Sequence, residues 1–231
     1  MDQLKVLFMG IKDVAPSVFV FMGNFSSRPY GEQWADKKNL KMLFKNLADL
    51  IGEYPEICNT SKFIFIPGGH DAGLSILPKP PLPDFLVQPL KSKLKHVTFG
   101  TNPFRIRCGR KKILLFREDL ATKLRRNVIL QPSDTSSSEP IELHDHVGLT
   151  IASTGHLCPL PERKKPIYWN FDNALSLYPL PDCVVLADKY QPFDMEIEGC
   201  LFLNPGPFYQ EYTFVNYEPF HNKVTHSMVP A

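Results

Sequence analysis

Four short stretches carry side chains suited to phosphorus chemistry, and they fall where apolar strands end: Gly23-Asn24, Gly68-Gly69-His70-Asp71, Gly155-His156 and Ala187-Asp188-Lys189-Tyr190. Strand ends of this kind are where α/β enzymes place their sites. Converging on one rim, they would give the layout of a two-metal phosphoesterase. There, cations ~3.5–4 Å apart are held by carboxylates, imidazoles and an amide oxygen, and activate a water. Such a site needs anionic ligands to bridge two divalent ions and several neutral His to complete the shells. Asn24 stands where a bridging carboxylate is wanted, and Gly69 has no side chain. Only His70, Asp71, His156 and Asp188 remain as conceivable ligands. Turn residues capping strands and helices are the simpler account, so no catalytic residue and no metal is assigned.

The remaining chemistry-bearing groups have bland readings too. His144 and His146 have ligand-like spacing, but i and i+2 on a helix point to different faces. Cys183 and Cys200 sit inside apolar strands, as inert core thiols do. Arg105, Arg107, Arg110, Lys111 and Lys112 form a basic cluster on a hairpin, followed by Arg125-Arg126. They are candidate contacts to DNA phosphates, although Glu118, Asp119, Asp134 and Glu139 nearby favour a solvated mixed-charge face. ERKKP (162–166) is too short for a nuclear signal by itself, and NPGPF (204–208) reads as a structural turn.

The elements that must position these residues follow from periodicity. SVFVFMGNF (17–25) and KFIFIPGG (62–69) read as strands apolar almost throughout, as when both faces are covered. Between them Trp34, Leu40, Leu43, Phe44, Leu47, Leu50 and Ile51 recur at helical spacing. Strand, helix and strand make a βαβ unit with a parallel pair. LPKPPLPDF (77–85) is a proline-rich loop, and residues 96–119 alternate short strands with turns, with CGRKK as a hairpin tip. DLATKLRRN suits a short helix with Asp119 as N-cap. QPSDTSSSEP (131–140) reads as a mobile surface loop. Residues 141–154 and 167–181 read as helical, and CVVLAD (183–188), CLFLNPGPF (200–208) and YTFVNYEP (212–219) as closing strands. A sheet sandwich flanked by helices is the expected architecture, treated as one domain over 1–231.

Composition sets outer bounds. The 231 residues carry a net charge of +2, so no global basic field points to nucleic acid. Five cysteines at wide spacing argue against a zinc ribbon or a disulfide framework and for reduced thiols. The start MDQLKVLFMGIKD lacks a signal-peptide layout, and no stretch approaches the ~18 apolar residues of a membrane span. Neither secretion nor membrane insertion is expected.

In this order the chain contains GNFSSRPYG, FIFIPGGHDAG, FGTNPFRI, LFREDLATKLRRN, TGHLCPLP, PIYWNFDNALSLYPLPD, VLADKYQPF and CLFLNPGPF. Together these resemble the C-terminal part of the second (B) subunits of DNA polymerase epsilon. The resemblance implies an α/β (α+β) fold: a calcineurin-like metallophosphoesterase β-sandwich flanked by helices, with its activity lost. The G-D motif of active relatives then corresponds to Gly23-Asn24, G-N-H-D to Gly68-Gly69-His70-Asp71, and G-H-x-H to Ala187-Asp188-Lys189-Tyr190. Asn24, Gly69, His70, Asp71, His156, Asp188 and Tyr190 are thus degenerate metal positions. The first family motif, its strand and the preceding OB-fold are absent from this stretch, which reads as truncated. The resemblance further implies a nuclear, non-catalytic accessory subunit without cofactor. Its partners would be the zinc-containing C-terminal region of the catalytic subunit and other replication subunits, with DNA reached mainly through the complex and no membrane. Two alternatives stand beside it: a residual metal-dependent phosphoesterase using His70, Asp71 and His156, and a single-strand DNA-binding module using the Arg105–Lys112 hairpin.

Overall fold

The computed structural model describes residues 1–31, 34–128 and 142–230. The expected loop at 131–140 lies outside them. The chain divides into two compact units, Met1–Ser75 with Lys79–Phe104 and Val229–Ala231, and Ile76–Pro78 with Arg105–Met228.

The first unit runs α1 (Asp2–Ile11), β1 (Val18–Met22), α2 (Trp34–Gly52), α3 (Pro55–Thr60), β2 (Lys62–Ile66), α4 (Asp84–Lys93) and β3 (Val97–Phe99). Its three strands lie in the order β1-β2-β3 and all run parallel, with Val18 beside Lys62 and Phe63 beside Val97. The expected βαβ unit is therefore present. Alternate residues of a strand share a face, and here one face is a ladder of stacked rings. Phe19 lies on Phe63 at 5.4 Å, Phe21 on Phe65 at 5.0 Å, and Phe65 on Phe99 at 5.4 Å. Phe44, Leu47, Ala48 and Ile51 of α2 and Leu86 and Leu90 of α4 join this core. Burying a side chain such as Phe44 or Ile51 contributes roughly 1.5–3 kcal/mol.

Three expectations need correction here. Of the two strands read as covered on both faces, β2 is and β1 is not, because Val18 and Val20 of the edge strand β1 stay exposed. Leu43 is also exposed: α2 buries a narrower stripe than its apolar residues suggest. The proline-rich stretch is irregular only as far as Pro83; α4 starts at Asp84 and continues through Pro89. Pro83 precedes the helix and so removes none of its interior hydrogen bonds.

The second unit runs β4 (Phe104–Cys108), β5 (Lys111–Phe116), α5 (Ala121–Arg126), α6 (Leu143–Thr154), β6 (Cys183–Leu186), β7 (Phe193–Ile197), β8 (Cys200–Asn204), α7 (Phe208–Glu211), β9 (Thr213–Glu218) and β10 (Lys223–Met228). Five strands form a sheet in the order β4-β5-β6-β8-β7, with β5, β6 and β8 parallel and β7 antiparallel to β8. The remaining two strands, β9 and β10, form an antiparallel hairpin. The core joins Leu114 and Phe116 of β5, Val184 and Leu186 of β6 and Phe202 of β8 to Val147 and Ile151 of α6. Each unit is thus mixed α/β, as the sequence indicated. The aromatic segment 167–181 is not an α-helix but a pair of 3-10 turns over Trp169–Leu175, broken at Phe171. Its apolar residues satisfy the helical period by spacing alone, since Trp169 and Phe171 are exposed. The strands β7 and β10 carry alternating or largely polar patterns and gave no apolar run to read.

Candidate functional site

In the first unit the ends of β1 and β2 bring Gly23-Asn24 against Gly68-Gly69-His70-Asp71. The Asp71 carboxylate, 3% exposed, accepts from Phe25 N–H and Gly68 N–H, both at 2.8 Å. The Asn24 amide oxygen accepts from His70 N–H at 3.0 Å. A Cβ on Gly23 would lie 2.0 Å from Asp71 Oδ2, and one on Gly68 2.2 Å from Asn24 Oδ1. These two glycines exist because the loops touch. Below them lies a group that no sequence signal marked. Lys79, in the proline-rich stretch and 2% exposed, donates through Nζ to Gly68 O at 2.9 Å and Asp71 O at 2.6 Å. Its backbone pairs both ways with Asn102. The His70 side chain is exposed.

In the second unit His156 and Asp188 serve separate local structures. His156 Nδ1 accepts from Cys158 N–H at 3.1 Å, while Nε2 faces Asp172 Oδ1 at 3.2 Å. Asp188 Oδ2 accepts from Leu120 N–H at 2.6 Å and Ala121 N–H at 2.8 Å, and Oδ1 from Tyr190 N–H at 3.0 Å. Asp188, not Asp119, therefore caps α5. Asp119 is drawn instead to Arg117 at 2.7 Å and Lys189 at 3.4 Å. Burial pushes the Asp188 carboxyl up, against the pull of its backbone donors. Buried Asn204, from the NPGPF turn, accepts from Asp188 N–H and donates to Tyr190 O and Gln191 O. Among the described residues no three His, Cys, Asp or Glu side chains gather closely enough to hold a metal ion.

The sequence model for the B-subunit family of DNA polymerases alpha and epsilon matches residues 1–195. The chain belongs to that family. DNA polymerase epsilon subunit 2 of Homo sapiens is 42% identical over 209 residues, covering 90% of this chain and 38% of that protein. The DNA polymerase epsilon B-subunit of Arabidopsis thaliana is 39% identical over 222 residues, covering 95% of this chain and 42% of that protein. The chain spans about two fifths of the length of these curated relatives. Among solved structures, one titled as a novel archaeal phosphodiesterase covers 91% of this chain and 98% of its own at 10% identity, with a TM-score of 0.43.

The basic cluster of this B-subunit family member is divided in its tasks. Arg105 donates to Ala174 O at 2.9 Å and Ser176 O at 2.6 Å, and so ties down the aromatic segment. Arg107 Nε donates to Gly109 O at the hairpin turn, where Gly109 takes φ +60°. Lys111 lies 3.5 Å from Asp182. Arg110 and Lys112 present exposed side chains. The expected solvated mixed-charge face is overturned at Glu118. That carboxylate is buried, 2.6 Å from the equally buried Lys165 and also paired with Lys123. Burial would raise Glu118, but Lys165 and Lys123 outweigh it and hold the carboxyl below its ordinary range. Lys165 belongs to ERKKP, so part of that basic run is core. His144 and His146 both lie on α6, whose start is closed by Glu142 and Asp145. The His144 ring stacks on Phe193 at 5.0 Å. Burial pushes the Cys183 and Cys200 thiols up to about 12, in keeping with inert core positions.

Proposed function

We propose that this chain is a non-catalytic, nuclear accessory component of DNA polymerase epsilon. It would bind and stabilise the zinc-containing C-terminal region of the catalytic subunit during chromosomal replication. Membership of the B-subunit family supports the polymerase assignment. One observation carries the non-catalytic part. The polar groups at the strand ends are engaged by backbone N–H donors: Asn24 by His70, Asp71 by Gly68 and Phe25, and Asp188 by Leu120, Ala121 and Tyr190. A calcineurin-like ancestry accounts for their positions, and loop bracing accounts for their present partners. For the binding role, Tyr168, Trp169, Phe171 and Tyr178 give an exposed aromatic segment, and such residues anchor interfaces.

Two experiments test the reading. Co-expression with the C-terminal region of a polymerase epsilon catalytic subunit should yield a complex that survives size exclusion, and failure to co-purify removes the binding role. Incubation with manganese and a generic phosphodiester should give no turnover. Turnover abolished by His70→Ala would overturn the non-catalytic reading in favour of a residual phosphoesterase.

A further inference from the structure

The second unit holds an open cleft of about 340 Å³ between the β4–β5 hairpin and the segment that follows the 3-10 turns. Its cationic wall is Arg105, Arg107 and Lys112, and Leu177, Tyr178 and Pro179 supply the apolar side. Among the described residues no carboxylate pairs with any of the three cations. Arg105 is held by two neutral carbonyls and Arg107 by one, while Asp182 is engaged by Lys111 and by Lys112 N–H. The Tyr178 ring is 91% exposed beside them. An unneutralised cationic wall next to a bare aromatic ring lacks an anionic, extended ligand.

We propose that this cleft receives an extended acidic segment of a partner protein. Arg105 and Arg107 are two apart on β4, so their side chains share a face and stand about 6.8 Å apart. That is also the repeat of alternate side chains in an extended peptide, so carboxylates at every second position can each face one of the two arginines. Arg binds a carboxylate bidentately through its planar fork, and Tyr178 adds a rigid ring for an apolar side chain on the segment. The strand β4 has a strand neighbour on one side only. A single nucleic-acid strand fits less well. Such strands need a basic track several nucleotides long with successive stacking rings. Here the cleft has one bare ring, Tyr178. The proposal holds whichever protein supplies the segment, and so stands apart from the binding role above.

The test uses the 231-residue chain and a fluorescein-labelled peptide of about ten residues with Glu at alternate positions. At low salt the peptide should bind saturably, the same peptide with Lys for Glu should not, and a thymidine oligonucleotide should not displace it. The pair Arg107→Glu and Lys112→Glu should weaken binding by more than about tenfold and Tyr178→Ala by severalfold. If the charge-reversed variant loses its thermal transition, Arg107→Gln with Lys112→Gln, which leaves Arg105 and its loop contacts in place, should show the same direction of loss. Three results overturn the proposal: no saturable binding of the Glu peptide, unchanged affinity in these variants, or displacement by the oligonucleotide at similar concentration, which would assign the cleft to single-stranded nucleic acid.

Discussion

Replacing Lys165 by Met tests whether the charge cluster at the end of β5 is held together as the distances imply. Glu118 and Lys165 are 6% and 5% exposed at their side chains, and 2.6 Å apart. Removing one partner of a buried pair costs roughly 3–5 kcal/mol, because the other charge is left without compensation. Lys123 keeps its hold on the second oxygen of Glu118, but its side chain is 36% exposed, so its pull is partly screened. The expected loss at neutral pH is therefore about 2–3 kcal/mol, read from the urea midpoint with the slope unchanged.

The pH dependence is the sharper discriminator. In the native chain Glu118 lies below its ordinary 4.5. The stability it contributes is complete above the unfolded value and is lost as the pH falls through the folded one. In Lys165→Met burial regains the advantage and the carboxyl rises, so the folded variant takes up a proton before the unfolded chain does. The variant is thus relieved as the pH falls from its raised carboxyl value to the unfolded one, and below the unfolded one the native protein is weakened, so both steps narrow the gap. The deficit should be largest near pH 7–8 and shrink toward pH ~4. Adding Glu118→Gln should recover part of it at neutral pH, since the pair is then removed together. A deficit below about 1 kcal/mol at pH 7, or one constant across that range, would refute the reasoning.

Other outcomes follow from the same contacts. Asp188→Ala removes the acceptor that serves Leu120 N–H and Ala121 N–H and should cost about 1–2 kcal/mol in urea unfolding, with Asp188→Asn closer to native. Gly68→Ala drives a Cβ to 2.2 Å from Asn24 Oδ1 and should cost about 1–3 kcal/mol. Gly52→Ala meets nothing within 4 Å at the end of α2 and should instead stabilise by about 0.5–1 kcal/mol. A maleimide at pH 8 followed by mass mapping should label exposed Cys108 first. Cys183 and Cys200, with thiols at about 12, should react only once the chain unfolds.

The sequence was most legible where burial writes a period. KFIFI and CLFLN alternate between two covered faces and became β2 and β8, and α2 showed its stripe at Phe44, Leu47 and Ile51. Legibility failed where a segment is held by partners far along the chain. The segment 167–181 has helical spacing, yet Arg105 fixes its carbonyls from 69 and 71 residues away, and propensity does not encode such a tie. The cap of α5 lies 67 residues downstream at Asp188, although Asp119 is the local candidate. A carboxylate beside a helix start is only a candidate cap, and what decides is which acceptor reaches the free N–H groups.

The candidate site illustrates the same point from the opposite side. Residue type and position left His70, Asp71, His156 and Asp188 as conceivable ligands, and the structure puts Asp71 in a loop that touches the one carrying Asn24. A ligand and a brace share chemistry, since both are oxygens aimed at a positive partner. They differ in what supplies that partner. For Asp71 and Asp188 it is a set of backbone N–H groups, whose loops would lose their acceptors if these carboxylates turned toward a cation. Under Asp71 the positive centre is already part of the chain, the Lys79 ammonium seated on the Gly68 and Asp71 carbonyls. Converting this loop into a metal site would thus require more than restoring a carboxylate at Asn24. The buried lysine would have to leave, and the hydrogen bonds that now close both strand ends would have to find other donors.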